Sequence, residues 1–269
     1  GGQIGRNAHL PCFVLLRPQW GDRVRQVPSE GRDILVVLDV SLSMLARSTG
    51  ETRLDRAKEA VRVLAGSQEG ARMGLVLFAG DAFLQCPLTS DRGAFLMFLD
   101  AAGPDSMAVQ GTDMGRALET AQRVFVQKRL TSRMLVFITD GEDHEGRALE
   151  MADKFREMEI SLYCIGVGSE QGEAVPAGTD DNTGQTLSDN DGRSVVSRKN
   201  AGLLKEMAEK TGGAYADITD GYSDLRSVER AIDGENSRQN GMRRVHEKED
   251  RYAFFVTMLV MLLSADLLI

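Results

Sequence analysis

Apolar residues in this chain follow two alternating rhythms. Residues 33–39 are almost continuous in Ile, Leu and Val, as in a parallel strand buried on both faces. Residues 53–65 then place Leu54, Ala57, Val61 and Leu64 at the spacing of an amphipathic helix. A second buried strand is predicted at 73–79, and the Gly80-Asp81 turn leads straight into 82–88. So close a connection suits an antiparallel hairpin and not a crossover. Helical spacing returns at 92–99 and at 114–126, where Ala117, Leu118, Ala121, Val124 and Phe125 share one side. Strand 134–140, helix 147–158, strand 160–167, helix 201–210, strand 214–218 and helix 223–232 continue the alternation. Such a run predicts a doubly wound α/β fold, a mostly parallel central sheet with helices on both faces. Ligands of such sheets sit at the carboxyl ends of the strands.

Three stretches depart from the rhythm. Residues 168–197 are rich in Gly, Asp, Asn and Ser, and Asp189-Asn190-Asp191-Gly192-Arg193 has the turn chemistry of a surface hairpin. Residues 235–251 are polar and charged, and read as a juxtamembrane linker or helical stalk. Residues 252–269 are 18 in number and nearly all apolar, which at about 1.5 Å per residue reaches across a hydrocarbon core. Tyr252 suits an interfacial anchor, the basic group Arg243, Arg244, Lys248 and Arg251 lies just before it, and Asp266 is a costly exception within it. A transmembrane helix is expected there, a partner-packed C-terminal helix being the alternative. At the other end the chain opens on Gly1, and the apolar patch 10–16 contains Pro11 and is too short to span a bilayer. Residues 1–32 are therefore expected to be an extension that carries the remnant of a truncated membrane segment, ahead of a single domain at 33–234.

Composition narrows the function. The 269 residues are 42% hydrophobic and 27% charged, enough for one sizeable core, and the net charge of −8 offers no basic surface for nucleic acid. Cys12, Cys86 and Cys164 form no Cys-x-x-Cys pair, and His9, His144 and His246 are scattered, so zinc ligation is not expected. Cys86 and Cys164 fall in apolar strand-like runs, as buried free thiols do.

The chemistry lies in three ordered pieces. Asp39-Val40-Ser41-Leu42-Ser43 ends the first strand, Gly111-Thr112-Asp113 opens a helix, and Asp140-Gly141 ends another strand. Serine, threonine and aspartate oxygens suit a small hard cation such as Mg²⁺, and with only two carboxylates part of its shell stays open. Helix capping is the alternative role for each piece, most strongly for Asp113, while Glu142 and Asp143 read as solvated loop acids. No nucleophile elbow, phosphate-binding loop or dedicated general base is present. The protein is therefore not expected to be an enzyme, a metal-dependent hydrolase using the same site being the alternative.

The constellation resembles the metal-ion-dependent adhesion site (MIDAS) of von Willebrand factor A domains, over about residues 32–233. Carried over residue by residue, the resemblance implies that Asp39, Ser41, Ser43, Thr112 and Asp140 surround one Mg²⁺ (or Mn²⁺), with an acidic side chain of a protein partner as the last ligand. A narrower resemblance, to the bacterial aerotolerance (Bat) proteins, rests on Arg17-Pro18-Gln19, the run 74–80, Gln85-Cys86-Pro87-Leu88-Thr89, the run 138–143, the Gly-rich stretch 168–197 and Thr211-Gly212-Gly213. It implies a non-enzymatic assembly or stress-tolerance factor of the bacterial inner membrane. Its domain would be periplasmic, and it would act with sister von Willebrand factor A proteins and a MoxR-type AAA ATPase.

Overall fold

The computed structural model describes residues 19–27, 31–48, 50–125, 132–143, 146–178, 185–189, 191–239 and 243–250. The chain divides into two compact units, one formed by residues 29–240 and one by the flanking residues. In chain order, β1 (Gln19–Val27) precedes β2 (Arg32–Asp39), a short hairpin of β3 (Arg47–Ser48) and β4 (Glu51–Thr52), and α1 (Arg53–Ser67). Then come β5 (Ala71–Phe78), β6 (Ala82–Thr89), α2 (Arg92–Asp100), α3 (Met114–Phe125), β7 (Ser132–Thr139), α4 (Ala148–Glu157) and β8 (Ser161–Gly166). The excursion holds β9 (Glu173–Ala174) and β10 (Val196–Ser197), after which α5 (Ala201–Thr211), β11 (Tyr215–Asp217), α6 (Leu225–Gln239) and β12 (Arg243–Asp250) follow.

Six strands form the central sheet in the order β11-β8-β7-β2-β5-β6. Every neighbouring pair is parallel except β5 with β6, the expected hairpin. The continuous apolar strands are explained by the two cores. Ile34, Val36 and Leu38 of β2 face α1, α2 and α6, whereas Leu35 and Val37 face α3, α4 and α5. Both rows of a central strand are thus removed from water, so alternation has no reason to appear. At about 25 cal/mol per Å² of apolar surface, this two-sided burial is the main force holding the layers together. Cys86 and Cys164 are buried free thiols, and burial pushes the Cys164 thiol up to about 12.

The excursion is an ordered hairpin. Ser188 bridges Ser194, β9 pairs antiparallel with β10, and the Asp189 amide donates to the Arg193 carbonyl at 2.9 Å. Three backbone bonds close a ring: Val175 donates to Val195, Val195 to Leu187, and Leu187 to Val175, at 3.0, 2.7 and 2.7 Å. Within the segment 235–251, residues 235–239 and 243–250 are described. Its first residues continue α6 to Gln239, and β12 pairs antiparallel with β1. The register sets Asp22 opposite Lys248 and Arg23 opposite Glu247, a pairing that neither strand reveals alone. Among the described residues no helix is long and apolar enough to cross a membrane; residues 252–269, where that helix is expected, lie outside them, as do residues 10–16.

Candidate metal centre

The sheet itself assembles the site. Starting from β2, the chain goes first to β5 on one side and later returns to β7 on the other, so β2 and β7 flank a topological switch point. Asp39 ends β2, and Asp140 follows the last residue of β7. The loop bearing Thr112 is fastened to the neighbouring strand: the Asp113 amide donates to the Ala79 carbonyl at 2.8 Å, and the Gly80 amide to Val109 at 3.2 Å. Gly80 allows this approach, because a Cβ there would lie 2.4 Å from the Gln110 carbonyl oxygen. Arg147 joins the second and third loops by donating to both Asp113 oxygens at 3.1 and 3.0 Å.

Four of the five expected residues meet through hydrogen bonds. The Ser43 hydroxyl donates to Asp140 Oδ2 at 2.7 Å, and the Ser41 and Ser43 oxygens lie 2.9 Å apart. Since Ser43 has one proton and gives it to Asp140, Ser41 is the donor to Ser43. Asp39 Oδ1 accepts the Ser41 amide at 2.9 Å, and its Oδ2 accepts the Thr139 hydroxyl at 2.6 Å. Asp39 and Asp140 are fully buried. Burial above all, then the neighbouring Asp140, pushes the Asp39 carboxyl up to about 7 against the bonds from Thr139 and Ser41. The fifth residue, Thr112, is buried, and its hydroxyl has no hydrogen-bond partner among the described residues.

Capping explains little of this arrangement. Ser41 stands at the N-terminus of the 3₁₀ turn Leu42–Leu45, yet its side chain makes no capping bond. Asp113 does cap α3, its Oδ1 accepting the Arg116 amide at 2.8 Å. Glu142 and Asp143 are not free solvated acids: Glu142 accepts the Arg198 amide at 2.8 Å, and Asp143 the Ala148 amide at 3.0 Å. Both lie close to backbone amides that the excursion and α4 leave open, which is why they turn inward. Among the described residues there is no group of three or more His, Cys, Asp or Glu that could hold a metal ion. Any cation here would depend on hydroxyls.

The sequence reading missed a positive charge at the centre of the site. Arg53, the first residue of α1, is fully buried and donates to Asp140 Oδ2 at 2.9 Å, Ser197 Oγ at 2.6 Å, Ser197 O at 3.0 Å and Glu173 Oε2 at 2.7 Å. The Ser197 hydroxyl in turn donates to Asp140 Oδ2 at 3.1 Å. One signal in the sequence pointed to Arg53: a cation in the first turn opposes the helix dipole, so it requires carboxylates from elsewhere.

Comparison with known proteins agrees with this architecture. The family of the von Willebrand factor type A domain matches residues 34–142. The crystal structure of BatB from Bacteroides thetaiotaomicron is 33% identical, covers 77% of this chain and all of that one, and superposes with a TM-score of 0.72. An aerotolerance-related membrane protein from Bacteroides fragilis, solved with multiple mutations to serines, is also 33% identical, over 76% of this chain and all of that one, at a TM-score of 0.71. A protein of Borreliella burgdorferi is 28% identical over 222 residues, 80% of this chain; the chain spans 62% of that relative's length. The matched domain, the sheet order and the identity across the whole of the Bacteroides structures lead to one conclusion: the chain belongs to the Bat-type von Willebrand factor A proteins.

Proposed function

We propose that this protein is a metal-dependent protein-interaction module of a membrane-anchored bacterial assembly, and not an enzyme. Ser41, Ser43 and Thr112 would ligate one Mg²⁺ or Mn²⁺ directly, while Asp39 and Asp140 act largely through water. One observation carries the reading: the hydroxyl pair Ser41 and Ser43 is already set for ligation. Neighbouring ligands of an octahedral Mg²⁺ at about 2.1 Å are about 3.0 Å apart, and these two oxygens are 2.9 Å apart. The Ser43 proton points at Asp140 and the Ser41 proton at Ser43, which leaves one lone pair on Ser43 and two on Ser41 for a cation. Hard oxygen donors throughout favour Mg²⁺ or Mn²⁺ over softer metals.

The cation would supply an open coordination position that attracts a carboxylate of a partner protein. The chain's own residues hold the ligating hydroxyls in place: Asp140 orients Ser43, Asp39 fixes the Ser41 backbone, and Thr139 fixes Asp39. Membrane association and a role in stress tolerance are supported by the Bacteroides fragilis relative, described as an aerotolerance-related membrane protein; in this reading residues 252–269 are the anchor and the domain is periplasmic. Sister von Willebrand factor A proteins and a MoxR-type AAA ATPase are the partners this reading names.

Calorimetry of the purified protein should show one Mg²⁺ site per chain, lost in Asp39→Ala and weakened at least tenfold, or about 1.4 kcal/mol, in Thr112→Ala. Chelator should release partners captured from native membranes. Wild-type Mg²⁺ affinity in Asp39→Ala would sink the site, and a phosphatase or protease activity abolished by Asp140→Ala would put the hydrolase in its place.

A further inference from the structure

Resting on the reading that the three loops hold a divalent cation, we propose that Arg53 is a positioning residue that couples cation occupancy to the 168–197 excursion. The guanidinium is the resident counter-charge of Asp140 and the clasp on the excursion at the same time. Its four hydrogen bonds reach the metal loop at Asp140 and both legs of the excursion, at Glu173 and Ser197. Gly168, where the excursion leaves the domain, is shaped around it: φ is +99°, and a Cβ would lie 2.4 Å from Arg53 Nε. The fork geometry is needed, because a lysine ammonium is a point charge that cannot span these partners in one plane.

The charges favour coupling over mere structural support. Asp140 and Glu173 contact the single guanidinium and Asp39 lies beside Asp140, so with all three ionised the cluster keeps an excess of two negative charges, matched by one divalent ion. Without that ion, Arg53 compensates the buried Asp140, which would otherwise be costly to keep ionised. Once the ion is bound, two cations compete for one carboxylate at short range in a poorly screened site. The Arg53–Asp140 bond weakens, and the guanidinium is left more fully committed to Glu173 and Ser197. The ring of bonds among Val175, Leu187 and Val195 ties these described parts of the excursion together, so they respond jointly. Reciprocity follows: a protein that grips the excursion, for instance at the exposed Val196, changes cation affinity.

Hydrogen exchange of the full-length chain with and without Mg²⁺ tests this directly. Mg²⁺ should slow exchange in loop 39–43 and also at Val175, Leu187 and Val195. Arg53→Met should bind Mg²⁺ about tenfold more tightly than Arg53→Lys, which keeps the charge. In both variants excursion exchange should be fast and no longer respond to Mg²⁺. Glu173→Gln, at a partly exposed position where folding is under less threat, leaves Arg53 more fully committed to Asp140 and should weaken Mg²⁺ binding several-fold. Unchanged or faster excursion exchange in the wild type with Mg²⁺ bound would overturn the coupling alone, as would equal affinities of the Met and Lys variants. Absence of Mg²⁺ binding in the wild type would overturn the site, and the coupling with it.

Discussion

Asp39 bears a heavy electrostatic load, buried beside a second carboxylate. Its carboxyl is raised from 3.8 to about 7 by burial and by Asp140, so between those values the folded protein holds a proton that the unfolded chain has released. The cation-free protein therefore loses stability as pH rises through this window, by at most about 1.4 kcal/mol per pH unit, and reaches a constant lower level above it. Thermal melts in chelator should show this fall, and the rise in Tm on adding Mg²⁺ should grow over the same range, because a cation favours the ionised form. Asp39→Asn should flatten the profile; a flat wild-type profile would contradict the assignment. The residues that hold Asp39 were only partly legible. Asp39 and Ser41 are two apart in sequence, but Thr139 is 100 residues away, and no local pattern links a strand-ending threonine to that partner.

At the scale of elements, the legible parts were those long enough to show periodicity. The mostly parallel sheet and the helices on each face follow from continuous apolar strands alternating with amphipathic helices, whereas the order of the strands does not. The 3₁₀ turn Leu42–Leu45 and the two-residue strands β3 and β4 are too short to leave such a trace, yet they lead the chain from Ser43 to Arg53. Loop attachment is equally invisible in the sequence, and Gly80 shows why it matters. Gly80→Ala would drive a methyl against the Gln110 carbonyl and push the Thr112 loop off the end of β5. It should cost about 1–3 kcal/mol of stability and weaken Mg²⁺ binding about tenfold, the same order as Thr112→Ala. Gly66→Ala, in α1 with open space around it, should leave Mg²⁺ affinity intact and add up to about 1 kcal/mol. Denaturant titrations with calorimetry on the two variants compare them, and equal effects on binding would remove Gly80 from the argument.

For the molecule as a whole, the ribbon of β1 and β12 ties the two ends of the chain together. Gln19 stands opposite Asp250, so the ribbon pairs the start of β1 with the end of β12. The full chain should stay with membranes through a carbonate wash, and a version lacking 252–269 should appear in the supernatant. Detergent-free recovery of the intact chain from that supernatant would count against a spanning helix.

The sequence by itself determined the alternation of strands and helices and the order of the three oxygen-bearing loops, because hydrophobic spacing and side-chain chemistry are local properties. It also marked 168–197 as an excursion, since turn residues announce themselves within a few positions. The tertiary structure alone decided what surrounds Asp140. Arg53 reaches it across 87 residues and also holds Glu173 and Ser197, 120 and 144 residues further along the chain from Arg53. The pairing of β1 with β12 is of the same kind. Contacts of that range depend on where folded elements lie in space, and a buried charge shows its purpose only when the carboxylates facing it are known.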